Sequence, residues 1–197
     1  MISPAKMICH CLLIETDKKL ILVDTGLGSR DLAHPDGLGQ IFRKIIRPKL
    51  SPGETAARQI KKLGFGTEDV RQIILTHLDL DHAGGLSDFP DAEVHVSGPE
   101  YDSAMAASSF RDKFRYRPFQ WSHNPMWKMH DIQGEKWFGF EAVRAIDNKE
   151  TEILLIPWRD ITIRTVESSQ FVEFRFNKFP SVYLITYKSA VEGFAKA

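Results

Sequence analysis

Apolar positions in the chain gather into short runs separated by polar breaks, and most runs have the length and composition of strands. Residues 7–15 and 19–24 form two such runs joined by Thr16-Asp17-Lys18, a hairpin signal. Residues 27–50 are mixed: a loop with Gly, Pro and His34, then a basic apolar stretch over 41–50. Ser51-Pro-Gly-Glu-Thr-Ala-Ala-Arg-Gln-Ile-Lys-Lys-Leu predicts a helix capped by Ser51, with Pro52 and Glu54 early, Lys61 and Lys62 late, and Gly64 as the stop. A turn over 67–70 leads into the apolar run at Ile73, and 92–96 alternates as a strand with His95 on its surface. A helix begins at Pro99, and 141–146 and 152–157 predict two further strands. No repeat or low-complexity segment interrupts the pattern.

The chemistry concentrates in Ile73-Ile-Leu-Thr-His77-Leu-Asp79-Leu-Asp81-His82-Ala-Gly84-Gly85. A buried strand runs into two histidines and two carboxylates, then into a Gly-Gly suited to a tight turn. Read as extended, the segment puts His77, Asp79 and Asp81 on one side, with Leu78 and Leu80 on the other. His82 follows as the chain turns. Imidazole and carboxylate together suit zinc, and also iron or manganese. A polar loop whose Asp caps a following helix is the bland alternative, but a cap needs one acceptor, not four ligands.

At these residues the sequence resembles the metallo-β-lactamase-fold hydrolases, in particular their lactonase- and glyoxalase II-like members. The family motif is His-x-His-x-Asp-His after a strand; here it reads His77-Leu-Asp79-Leu-Asp81-His82, with Asp79 in place of the second histidine. Carboxylate oxygen also binds zinc, and the change favours harder ions. The resemblance implies an α/β fold of the αβ/βα sandwich type, one or two metal ions, and hydrolysis by metal-activated water. It places His77 and Asp79 on one ion and Asp81 and His82 on the second, with Asp81 also orienting or deprotonating the water. Leu20-Ile-Leu-Val-Asp24-Thr25-Gly26 matches a second family element, whose Asp lies near the metals, so Asp24 is expected to support the ligands.

Composition narrows the partners. With 26 basic and 26 acidic residues the net charge is zero, which gives a nucleic-acid partner no electrostatic support. No apolar run reaches bilayer length and no signal-peptide pattern opens the chain, so a cytoplasmic protein without membrane contact is expected. The two cysteines, Cys9 and Cys11, share one face of a strand, a poor geometry for a bridge, and read as reduced thiols. Between about 100 and 140 lie Phe110, Phe114, Tyr116, Phe119, Trp121, Trp127, Trp137 and Phe138. They read as an insertion packing its aromatics and lining an apolar pocket for a small-molecule substrate, with core packing as the alternative for any one of them. His123 and His130 receive no role.

The resemblance runs through residues 1–157 and breaks after Pro157. The family pattern calls there for Pro-x-x-Gly-His-x-x-Gly-His and a later Gly-Asp. This chain has Pro157-Trp-Arg-Asp-Ile-Thr-Ile-Arg-Thr-Val-Glu, and no histidine after His130. Shifting the possible codons of 157–168 back by one base permits Leu-Ala-Gly-His-x-x-x-His-Ser-Gly-Val, so residues 158–197 are read as an atypical tail translated out of frame. Two functions follow: a metal-dependent hydrolase of an ester, lactone or thioester, or a non-catalytic remnant with an incomplete centre. Oligomeric state is not readable.

Overall fold

A computed structural model of the protein describes residues 4–5, 8–16 and 18–130, together with the backbone of strands 135–137, 140–146, 153–157, 170–174, 181–188 and 193–194. In chain order the strands are β1 (Pro4–Ala5), β2 (Ile8–Glu15), β3 (Leu20–Val23), β4 (Val70–Ile74), β5 (Glu93–Ser97), β6 (Met126–His130), β7 (Glu135–Trp137), β8 (Phe140–Ile146), β9 (Ile153–Pro157), β10 (Gln170–Phe174), β11 (Ser181–Lys188) and β12 (Gly193–Phe194). The α-helices are α1 (Ser29–Ala33), α2 (Gln40–Ile46), α3 (Ala56–Lys62), α4 (Leu80–Ala83), α5 (Gly98–Ala106) and α6 (Phe110–Arg115). A six-stranded sheet has the order β11-β2-β3-β4-β5-β6, a four-stranded one β10-β9-β8-β7, and β1 pairs with β12. This is the expected mixed α/β class.

The predicted hairpin forms as β2 and β3, antiparallel with Leu13 opposite Leu22. From β3 onward the strands run parallel through β4, β5 and β6, and the helices lie in the crossovers. All four residues of β3 are buried, as are Val70, Gln72, Ile73 and Ile74 of β4, the continuous apolar pattern of strands covered on both faces. Leu20, Leu22, Ile73, Val94 and Val96 share one core cluster with Ala56, Ala57 and Ile60 of α3. Each fully buried Leu, Ile or Val of this kind contributes roughly 1.5–3 kcal/mol.

Several sequence expectations are corrected. The helix expected from Ser51 starts later: Pro52–Glu54 is a 3-10 turn, and Thr55, extended at φ −62° and ψ 147°, is the N-cap of α3. Its hydroxyl accepts from Arg58 N at 3.4 Å, a partner Ser51 lacks. The basic stretch after Gly39 folds as α2 because Phe42 inserts into a small cluster with Leu27, Leu38 and Leu80. The strand leading to the histidines ends at Ile74, and Leu80–Ala83 is one helical turn with Asp79 at its N-cap position. The predicted division survives by another route: Leu78 and Leu80 are buried, while His77, Asp79, Asp81 and His82 stay partly exposed. His95, expected on a strand surface, is only 6% exposed, with Nδ1 2.8 Å from His130 Nε2 on the neighbouring strand.

Cys11 is buried, Cys9 is half-buried, and both are free thiols as expected. The 100–140 segment supplies most of α5, α6 and the parallel strand β6. Tyr116 and Trp121 join the main core, Phe114 packs against the Leu27–Leu38–Phe42–Leu80 cluster, and Phe110 is 79% exposed. Trp137 and Phe138 have no described side chain. Strands β10, β11 and β12 fall within 158–197, and β11 pairs with β2 over eight register positions. The out-of-frame reading of 158–168 falls outside the described residues.

Candidate metal centre

The expected ligands lie beyond the carboxyl ends of β3 and β4, where parallel strands of an open sheet present ligand sites. Asp24 follows β3 directly with φ of +54°, a left-handed conformation that Asp tolerates better than most residues. Its amide donates to the Ile74 carbonyl at 2.9 Å, so the turn is fastened to the end of β4. Thr25 then accepts and donates across the gap: its amide and hydroxyl both donate to the His82 carbonyl at 2.8 Å, and its hydroxyl accepts from Gly85 N at 2.9 Å. The Asp-Thr-Gly and Gly-Gly turns press together. A Cβ on Gly28 would stand 2.5 Å from Gly84 O and Gly85 Cα.

Asp24, expected to support the ligands, bonds to His82 and to Thr76 beside His77. Oδ1 accepts from Thr76 N at 2.9 Å, and Oδ2 accepts from Thr76 Oγ1 at 2.7 Å and pairs with His82 Nδ1 at 2.9 Å. Because the single Thr76 hydroxyl proton goes to Asp24, its oxygen is left to accept from His77 Nδ1, 2.9 Å away. Both rings therefore carry a proton on Nδ1, and the Nε2 atoms face outward. His77 Nε2 lies 3.8 Å from Asp79 Oδ2, His82 Nε2 lies 3.8 Å from Asp81 Oδ2, and the ring centroids are 3.9 Å apart. All four expected donors are thus brought together.

Burial by itself would depress the His82 pKa, but the Asp24 carboxylate, with help from Asp81 and Asp79, raises it to about 9. Burial likewise opposes ionisation of Asp24, yet the His82 and His77 imidazoles and the Thr76 amide hold its carboxyl below the usual range. His77 is lowered, by burial first and by His82 second. His82 is consequently the more basic imidazole, set so by its carboxylate partner.

Sequence reading missed the groups around the carboxylates. Asp79 Oδ1 accepts from Arg115 Nε at 2.7 Å. Arg115 also reaches Glu100 Oε1 at 3.4 Å, and that oxygen accepts from Leu78 N at 2.9 Å and Tyr116 OH at 3.3 Å. Glu100 is only 2% exposed, and its Oε2 has no hydrogen-bond partner among the described residues. The Cys9 thiol donates to Asp81 Oδ2 at 3.4 Å, and burial, then Asp81, pushes its pKa far up, so it is a thiol and not a thiolate. A glutamate in the first turn after β5 was the one readable sign; Arg115 carried none.

The donor set fits a divalent ion in its chemistry. Each Nδ1 is tied to a hydroxyl or carboxylate partner of the kind metal-binding histidines use, which leaves Nε2 as the nitrogen that would bind an ion, on His82 in exchange for its Nε2 proton. Among the described residues no three His, Cys, Asp or Glu side chains form one group closed about an ion. The donors stand as two imidazole–carboxylate pairs, His77–Asp79 and His82–Asp81.

The chain is 47% identical over 151 residues to a probable metallo-hydrolase of Mycobacterium tuberculosis, covering 77% of this chain and 48% of that protein. It is 32% identical over 109 residues to an N-acyl homoserine lactonase of Bacillus thuringiensis, covering 53% of this chain and 43% of the lactonase. The chain therefore spans about half the length of the curated relatives it matches. A solved B. thuringiensis AiiA variant, with N-decanoyl-L-homoserine bound at its active site, superposes with a TM-score of 0.53 at 25% identity, over 74% of this chain and 57% of that one. The sequence profile of the Metallo-beta-lactamase superfamily matches residues 5–174, and the chain belongs to that superfamily.

Proposed function

We propose that this chain carries the metal centre of a hydrolase that opens a small ester-like carbonyl, with an acyl lactone as the best-supported substrate. One observation carries the reading: two imidazoles, each fixed through Nδ1, hold their Nε2 atoms 3.8 Å from two carboxylates. Kinship to an N-acyl homoserine lactonase supports the substrate class. In this reading His77 and Asp79 hold one ion and Asp81 and His82 a second, zinc in the first instance, with iron or manganese as the harder alternatives. A bound ion of this kind polarises a carbonyl and lowers the pKa of water towards neutrality.

The chain's own residues do the rest. Asp24 holds His82 through Nδ1, so that Nε2 is the nitrogen that would meet an ion. In this reading Asp81 orients the attacking water and takes its proton. Leu80, which opens the helix bearing Asp81 and His82, belongs to the apolar cluster of Leu27, Leu38 and Phe42 with Phe114 against it.

The test is hydrolysis of N-decanoyl-homoserine lactone, followed by acid release in a pH-stat, for the zinc-loaded chain and His82→Ala. Zinc-dependent turnover that falls at least a hundredfold in the variant supports the reading. A rate equal in the two proteins, or unaffected by a chelator, refutes it.

A further inference from the structure

Resting on the metal-centre reading above, the geometry points to Arg115 as a built-in competitor for Asp79. The centre would then load in two separated steps, first at Asp81–His82 and second at His77–Asp79. The two carboxylates have unequal partners. Among the described residues Asp81 Oδ2 accepts a hydrogen bond from a neutral thiol alone, Cys9 at 3.4 Å. Asp79 Oδ1 receives a charge-assisted bond from the Arg115 guanidinium at 2.7 Å. Such bonds are among the stronger ones in proteins, and both side chains are about three-quarters shielded, at 22% and 27% exposure.

Arg115 is also hard to move aside. It leaves α6 towards the site, reaches Glu100 at 3.4 Å and lies over the Tyr116 ring, 4.8 Å from its centroid. Glu100 is itself anchored by the Leu78 amide and the Tyr116 hydroxyl. A cation entering beside His77 must share Asp79 with a fixed guanidinium or displace it. Both routes cost affinity, the first by like-charge repulsion and the second by breaking the charge-assisted bond between Arg115 and Asp79. Among the described residues no guanidinium or ammonium stands at Asp81; its charged neighbour there is the His82 ring, Nε2 at 3.8 Å, which an ion would take as its ligand. Arg115 is a positioning residue: it acts on the ion through Asp79.

The experiment is zinc titration of the full 197-residue chain, stripped with chelator, by calorimetry with elemental analysis of the loaded protein. The wild type should bind a first equivalent tightly and a second more weakly. Arg115→Gln should tighten the second step on the order of tenfold to a hundredfold and leave the first unchanged, the scale of one charged hydrogen bond. Arg115→Lys keeps the charge but loses the fork, so it should fall between them. Asp79→Asn should abolish the second step alone, and it serves if Arg115→Gln does not fold.

A second step unmoved by either arginine variant overturns the competition. Loss of the first step in Asp79→Asn overturns the order of loading. Two indistinguishable tight steps in the wild type overturn this inference and leave the metal-centre reading standing. No zinc bound by any protein overturns both.

Discussion

Replacing Asp24 by asparagine separates its two roles. The carboxylate is 5% exposed and serves three donors: Thr76 N, Thr76 Oγ1 and His82 Nδ1, all within 2.9 Å. Asp24→Ala strands these donors in a buried site. At about 1–3 kcal/mol per unsatisfied group, and allowing for incomplete additivity, the loss is about 3–6 kcal/mol. That is a large fraction of a typical total stability of about 5–15 kcal/mol.

Asp24→Asn keeps the shape. Its carbonyl still accepts from Thr76 N, while its amide group turns a donor towards His82. The imidazole must then present a bare Nδ1 and carry its proton on Nε2, the atom needed for an ion. Stability should fall by only about 1–2 kcal/mol, while zinc affinity falls about 10–100-fold, as when the carboxylate behind a ligating histidine is lost. Urea melts of the stripped proteins and equilibrium dialysis with zinc separate the effects. Wild-type zinc affinity in Asp24→Asn would refute the tautomer argument, as would equal destabilisation by Asn and Ala.

Two further substitutions test the packing around the site. Gly28→Ala should cost about 1–3 kcal/mol in urea melts, because the new methyl meets the backbone of Gly84 and Gly85 at 2.5 Å; its φ of −99° suits alanine, so a neutral result would contradict the close packing of the two turns. Asp31, fully buried and bonded to Gly28 N and Gln120 Nε2, has its pKa pushed by burial from 3.8 up to about 7. Between pH 4 and 7 the folded chain therefore holds a proton that the unfolded chain releases. Stability should fall as pH rises through that window, by as much as about 4 kcal/mol. Asp31→Asn should flatten this slope, and parallel slopes for the two proteins would refute the assignment.

The elements legible in the sequence were those whose signal is local. β2 and β3 announced themselves as apolar runs around a polar turn, and the four donors by their crowding into 77–82. Asp24 was readable because it ends a buried strand. Arg115, Glu100 and Cys9 were not: Arg115 reaches Asp79 from 36 positions away, Cys9 reaches Asp81 from 72 and Glu100 reaches the Leu78 amide from 22, and only the fold brings them close. The start of α3 was misplaced because Ser51-Pro52 and Thr55 are both valid caps, and local pattern does not choose between them. His95 was misread because its alternation fits equally a strand facing solvent and one covered on both sides.

The central claim is that His77, Asp79, Asp81 and His82 form a metal centre. Its most direct test is metal content per chain, by elemental analysis of protein purified without chelator, beside the double variant His77→Ala, His82→Ala. One to two equivalents in the wild type that vanish in the variant are the expected result. Near-zero metal in both would mark the chain as a non-catalytic remnant and direct attention to the reading frame after Pro157.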